Sequence, residues 1–107
     1  MTANARIEVP ATAKRGEIIE IKTLIAHSME TGFRRTHLGA PIPRDIITAF
    51  VCLYNSVEVF RAELYPSISA NPYLQFSTVA TESGVLEFTW SGDNGFIVTQ
   101  SARISVN

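Results

Sequence analysis

The residues that could do chemistry crowd into one ten-residue stretch, His27 to Thr36, which reads HSMETGFRRT. It holds one of the two histidines, one of the two methionines, a Thr31-Gly32 turn signal, Phe33 and the adjacent Arg34 and Arg35. His27 and His37 with Glu30 between them would make a thin metal site. They lack the spacing of a zinc motif, and no second cysteine joins them. Copper held by His27 and Met29 is a weaker prospect still. The plain alternative is two loop histidines making ordinary hydrogen bonds. Arg34 and Arg35 could clamp an anion, because the guanidinium fork donates bidentate bonds to sulfate, phosphate or carboxylate. Two adjacent arginines on an extended chain point to opposite sides, so at most one serves a given anion. The alternatives are a solvated pair, a salt bridge to Glu30 or Asp45, or an interface, where arginine is enriched.

Cys52 is the only cysteine. A nucleophilic thiol needs a nearby base and a lowered pKa. Cys52 lies in an apolar run, where burial would raise its pKa, so a buried structural cysteine is the better reading. Gly92 and Gly95 have neither phosphate-loop spacing nor a following helix, and Ser91 to Gly95 reads as a hairpin turn. No nucleophile elbow is present. The expectation is no catalytic set, no metal and no cofactor.

These residues need elements to position them, and the pattern is one of strands. Ala5 to Val9 alternates as a short strand, and Ala13 to Gly16 is a turn. From Glu17 to Ala26, Ile19, Ile21, Thr23 and Ile25 share one face; β-branched residues at period two favour a strand. Residues 27–44 contain Gly32, Gly39, Pro41 and Pro43. They read as a long ordered loop with a short hairpin near Phe33–Leu38, and loops of that length are usually functional or disordered. Asp45 to Tyr54 is apolar on both faces. Phe50, Cys52 and Tyr54 point one way; Ile47, Ala49, Val51 and Leu53 point the other, which calls for a covering surface. A short helix competes for this run.

Strands follow at Val57–Leu64, Tyr73–Ala80, Val85–Trp90 (Leu86, Phe88 and Trp90 inward) and Phe96–Val106. About seven strands with turn signals at regular spacing predict an all-β fold, an immunoglobulin-like β-sandwich, with a small closed barrel as the alternative. Residues 1–107 read as a single domain, since 107 residues at 46% hydrophobic suffice for one core. A net charge of −1 favours neither nucleic acid nor an anionic membrane as a partner. No apolar run approaches the roughly 20 residues that span a bilayer. MTANARIEVP shows no signal-peptide pattern, so the default address is cytoplasmic.

Four segments carry a resemblance to a known family: KRGEIIEIKTLIAHSMETGFRR at 14–35, PRDII at 43–47, ANPYLQF at 70–76 and FTWSGDNG at 88–95. The most specific is H-x-M-E-T-G-x-R from His27 to Arg34. The chain resembles, over nearly its whole length, the SoxZ family, the smaller subunits of the SoxYZ carrier of bacterial thiosulfate oxidation. The resemblance implies an immunoglobulin-like sandwich without chemistry of its own. It pairs tightly with SoxY, as a heterodimer or a higher oligomer, and SoxY holds the sulfur substrate on a cysteine in a C-terminal arm. A haem enzyme that attaches thiosulfate, a hydrolase that removes sulfate and a sulfane dehydrogenase would act on it in turn. The resemblance also moves the expected address to the periplasm, reached by export together with signal-bearing SoxY.

On this reading His27, Met29, Glu30, Thr31, Gly32, Phe33, Arg34 and Arg35 form a recognition or partner-interface loop. Ile47, Val51 and Leu53 offer a SoxY-facing strand. A stand-alone sandwich that binds a small anion or metal through the His27–Arg35 loop is the competing reading.

Overall fold

Alternation at period two decides the first long element. Ile19, Ile21, Thr23 and Ile25 are all buried, while at the alternate positions Ile18, Glu20 and Leu24 face solvent and Lys22 is half-buried. The structure is a computed structural model that describes residues 4–107. Its eight strands are β1 (Ala5–Glu8), β2 (Thr12–Ala13), β3 (Ile18–Ile25), β4 (Ile47–Tyr54), β5 (Val57–Glu63), β6 (Tyr73–Val79), β7 (Gly84–Gly92) and β8 (Ile97–Val106). A three-stranded sheet has the order β1-β3-β6, and a five-stranded sheet the order β2-β8-β7-β4-β5.

The sheets pack face to face through aromatic rings. Phe60 of β5 stacks on Phe76 of β6 with ring centroids 4.2 Å apart. Phe50 of β4 meets Phe76 at 6.0 Å and its cross-strand neighbour Trp90 of β7 at 5.2 Å. Leu86, Phe88 and Trp90 all point inward and are fully buried. Together they make one continuous core. The immunoglobulin-like sandwich is what the alternation predicted, with eight strands in place of about seven. The additional strand is β2, which pairs in parallel with β8 at Thr12–Ser105 and Ala13–Val106, partly where a turn was expected. Two residues are too few to leave a periodic signal.

Residues 47–54 form a strand, not a helix. One face assignment within it changes. Ile47 is fully buried beside Phe50 and does not share the outer face of Ala49, Val51 and Leu53. The register shifts between Ile47 and Ala49, a β-bulge that turns Ile47 inward. The outer stripe is also less bare than an apolar run implies. Val51 and Leu53 are half-buried, with Arg61 and Glu58 opposite them on β5 and Thr89 and Glu87 on β7.

Candidate functional site

Residues 27–45 make a projecting hairpin arm with a tight base. At the base, Glu30 and Asp45 exchange backbone hydrogen bonds of 2.9 and 2.8 Å. Further out, Arg35 faces Pro41, Thr36 N–H donates to the Ala40 carbonyl at 2.8 Å, and Ile42 N–H donates to the Arg34 carbonyl at 3.0 Å. The Thr36 hydroxyl accepts from the amides of Leu38 and Ala40 and closes the tip. The paired arms run the length of the loop and reach beyond the short hairpin expected at 33–38. Every residue from Phe33 to Pro41 is exposed. The radius of gyration, 16.3 Å, exceeds the roughly 13 Å of a compact chain of this size. A sandwich with a projecting arm has that shape.

Most of the motif from His27 to Arg34 builds the base of this arm. His27 packs edge-on against Phe96 at 4.8 Å, and its Nδ1 accepts the Met29 amide at 3.0 Å. Its Nε2 lies 3.9 Å from the Asp45 carboxylate. Met29 adopts a positive φ of 52° and turns its side chain into the core. There its sulfur accepts the Ile47 amide at 3.3 Å, a donor next to the bulge. The Thr31 hydroxyl accepts the Phe33 amide at 3.1 Å. Gly32 has φ +86°, and a Cβ there would come within 2.9 Å of the Arg44 Cβ, so this turn requires glycine. Glu30 takes the Arg34 guanidinium, with Nε at 3.1 and 3.2 Å from its two carboxylate oxygens. That hydrogen bond holds the Glu30 carboxyl below its ordinary pKa.

Two residues outside the motif lock the base, and the sequence did not single them out. Arg44 makes a bidentate pair with Asp93, both distances 2.8 Å. Asp93 Oδ2 also accepts the Ile46 amide at 3.1 Å. The pairing with Arg44, then the Ile46 amide, holds the Asp93 carboxyl below its ordinary pKa. Asp93 belongs to the turn read only as a hairpin connection. Only complementary charge 49 residues apart hinted at the pair.

The candidate ligand sets do not come together. His27 lies at the base of the arm and His37 in the turn at its tip, beyond the Arg35–Pro41 pair. Among the described residues no three His, Cys, Asp or Glu side chains gather as a metal site. Arg34 is taken by Glu30, and the Arg35 guanidinium donates to the Gly39 carbonyl at 3.0 Å, so the two do not form an anion clamp. Cys52 is fully buried, and burial pushes its thiol up to about 12. The arm does offer apolar surface. Phe33 is 83% exposed and Leu38 is 85% exposed, although backbone hydrogen bonds close the arm that carries them at base and tip.

Comparison with known proteins adds three findings. A family model described as "Sulphur oxidation protein SoxZ" matches residues 7–103. No curated protein matches the chain. Among solved structures, superoxide reductase (neelaredoxin) from Ignicoccus hospitalis is similar with a TM-score of 0.75 and 16% identity, covering 96% of this chain and 80% of that one. The sulfur carrier protein SoxY from Chlorobium limicola f thiosulfatophilum is similar with a TM-score of 0.67 and 11% identity, covering 96% and 78%. The CARDB domain of PF1109 from Pyrococcus furiosus follows at 0.56 and 12%, covering 99% and 88%. At these identities the structural likenesses show the fold alone.

Proposed function

Since this chain belongs to the SoxZ family of sulphur oxidation proteins, we infer that it serves as the non-catalytic subunit of the SoxYZ carrier complex. In this reading it pairs with SoxY, whose C-terminal cysteine holds the sulfur substrate covalently while the Sox enzymes oxidise it. The observation that carries the reading is the family match over residues 7–103. The geometry supports it from a second side. The groups that could have done chemistry are used by the fold: His27, Met29, Glu30 and Arg34 in the arm base, Cys52 in the core. What the loop presents instead is exposed Phe33 and Leu38 on a hydrogen-bonded arm, and an aromatic anchor such as Phe33 suits recognition.

The arm is therefore assigned to contacts with the substrate-bearing segment of SoxY or with the enzymes that act on it: the haem enzyme that attaches thiosulfate, the sulfate hydrolase and the sulfane dehydrogenase. The complex works in the periplasm, and this chain reaches it by export with SoxY. An obligate pair of this kind buries about 2,000 Å² or more.

Co-expression with SoxY, followed by size-exclusion and mass measurement, tests the pairing. The expected outcome is a single species containing both chains. A well-behaved monomer indifferent to SoxY overturns it. In the reconstituted pathway, Cys52→Ser is expected to keep full turnover, and loss of turnover in a folded variant would assign chemistry to this chain.

A further inference from the structure

The two sheets do not match in width. The smaller has three strands and ends at β6; the larger has five and ends at β5. Between these two border strands lies a groove of about 330 Å³, lined in part by Val57 and Val59 of β5 and Thr78 and Val79 of β6. Val57 is 63% exposed and Val79 46%, so the open side of the sandwich shows apolar surface to solvent.

The border strands differ in how they are defended. A free strand edge invites another chain, and proteins blunt it with short strands, charge, proline or a bulge. β1 and β2 are short, with four and two residues. β5 carries Glu58, Arg61 and Glu63, and the register shifts at its junction with Cys52 and Leu53. β6 reads YLQFSTV: seven residues, no charge, no proline, and an unbroken register with β3 from Tyr73 to Val79. It is the one undefended edge among the described residues.

The ladder shows which groups of β6 are free. The Ala80 amide donates to the Glu17 carbonyl and the Ile25 amide to the Pro72 carbonyl, in the same register as the β3–β6 pairing. By the alternation of an antiparallel pair, the even-numbered residues bond to β3. The amides and carbonyls of Tyr73, Gln75, Ser77 and Val79 then point out along the open edge. On the outer face, Leu24–Tyr73 and Ile18–Val79 form exposed apolar pairs at the two ends of this strand, with Ser77 and Gln75 between them.

We propose that an extended segment of the partner subunit adds to the free edge of β6 as a fourth strand of the smaller sheet. Where it passes Thr78 and Val79, its inward side chains lie in the groove between β6 and β5. This rests on the pairing with SoxY inferred above and names where on this chain that pairing is made. The segment that fits is about seven residues, uncharged at its inward positions, and apolar where it passes Tyr73 and Val79. A second copy of this chain could offer only its own β6 edge, an outcome that the concentration dependence below separates from pairing with SoxY. Its other long strands are bonded on both sides or carry charge, and its arm carries Pro41 and Pro43.

Amide hydrogen exchange on the chain alone and in complex with SoxY tests the proposal. The expected result is that the amides of Gln75, Ser77 and Val79 slow at least about tenfold in the complex, while those of Leu74, Phe76 and Thr78 are protected in both states. Proline is tolerated where a strand's N–H faces solvent. Ser77→Pro is therefore expected to keep the β-sheet circular dichroism and to weaken pairing at least about tenfold. A complex that forms with those amides unchanged overturns strand addition at β6 and leaves the pairing standing. So does full-strength pairing by a folded Ser77→Pro chain; if that variant fails to fold, the exchange result decides. If no complex forms, the pairing is wrong and strand addition falls with it. Slowing of the same amides in the chain alone as its concentration rises assigns the edge to a second copy and also overturns the proposal.

Discussion

Cys52 sits on the inward face of β4, with Phe60 and Phe88 opposite it on the neighbouring strands. Burial raises its thiol from an ordinary 9.0 to about 12. The protonated form is thus the one the fold accommodates. The stability this contributes is fully present below pH 9 and is lost as pH rises towards the folded value. At neutral pH a maleimide reagent should label Cys52 at least about 100-fold more slowly in the native chain than in denaturant. Equal rates would show that the strand opens freely. The same scale explains the motif from His27 to Arg34. Its residue types suggested ligands, but His27 Nδ1, the Met29 sulfur, the Glu30 carboxylate and the Thr31 hydroxyl find partners within the arm or the core. Histidine is present as an acceptor for the Met29 amide, and methionine as an acceptor for the Ile47 amide.

At the scale of elements, the arm depends on how its base joins the β4–β7 border. Gly92 packs against the chain there, and a Cβ would lie 2.3 Å from the Ile46 carbonyl oxygen and 2.8 Å from the Ile47 Cα. Both are backbone atoms that cannot swing away. Gly92→Ala is therefore expected to destabilise the chain by about 2–4 kcal/mol in denaturant unfolding. A change under about 0.5 kcal/mol would mean that the border is looser than it looks. Removing Arg44 acts more locally. Arg44→Ala leaves Asp93 its bond to the Ile46 amide but releases the clasp, so trypsin should cut at Arg34 and Arg35 several-fold faster while the sandwich stays folded. Asp93 and Glu30 have pKa values lowered from ordinary values of 3.8 and 4.5. Their contribution is present above those values and is lost as pH falls below them. Wild-type cleavage in the arm should approach the Arg44→Ala rate in acid; pepsin, which works there, gives the comparison.

Across the whole molecule, one continuous core joins both sheets. Phe50 lies at its centre, near Phe60, Phe76, Phe88 and Trp90. A chain of this size with one core should unfold in a single cooperative step. Phe50→Ala should cost about 3–5 kcal/mol out of a total of about 5–15. Coincident fluorescence and circular dichroism transitions would bear this out, and two separated transitions would divide the sandwich into independent parts. The side between β5 and β6 still leaves Val57 63% and Val79 46% exposed.

The sequence by itself determined the seven longer strands and, Ile47 apart, their inward faces. Period-two alternation is a local property, and burying one face of a strand leaves a trace at every second residue, as at Ile19, Ile21, Thr23 and Ile25 or Leu86, Phe88 and Trp90. The H-x-M-E-T-G-x-R pattern likewise marked the family. Three things were decided only in three dimensions. The bulge that turns Ile47 inward depends on the pairing of β4 with β7. The arm base joins Arg44 to Asp93 and His27 to Phe96, contacts that no spacing rule connects. Sheet membership leaves β6 as an open edge, and a strand's own residues carry no record of whether a neighbour lies beside it.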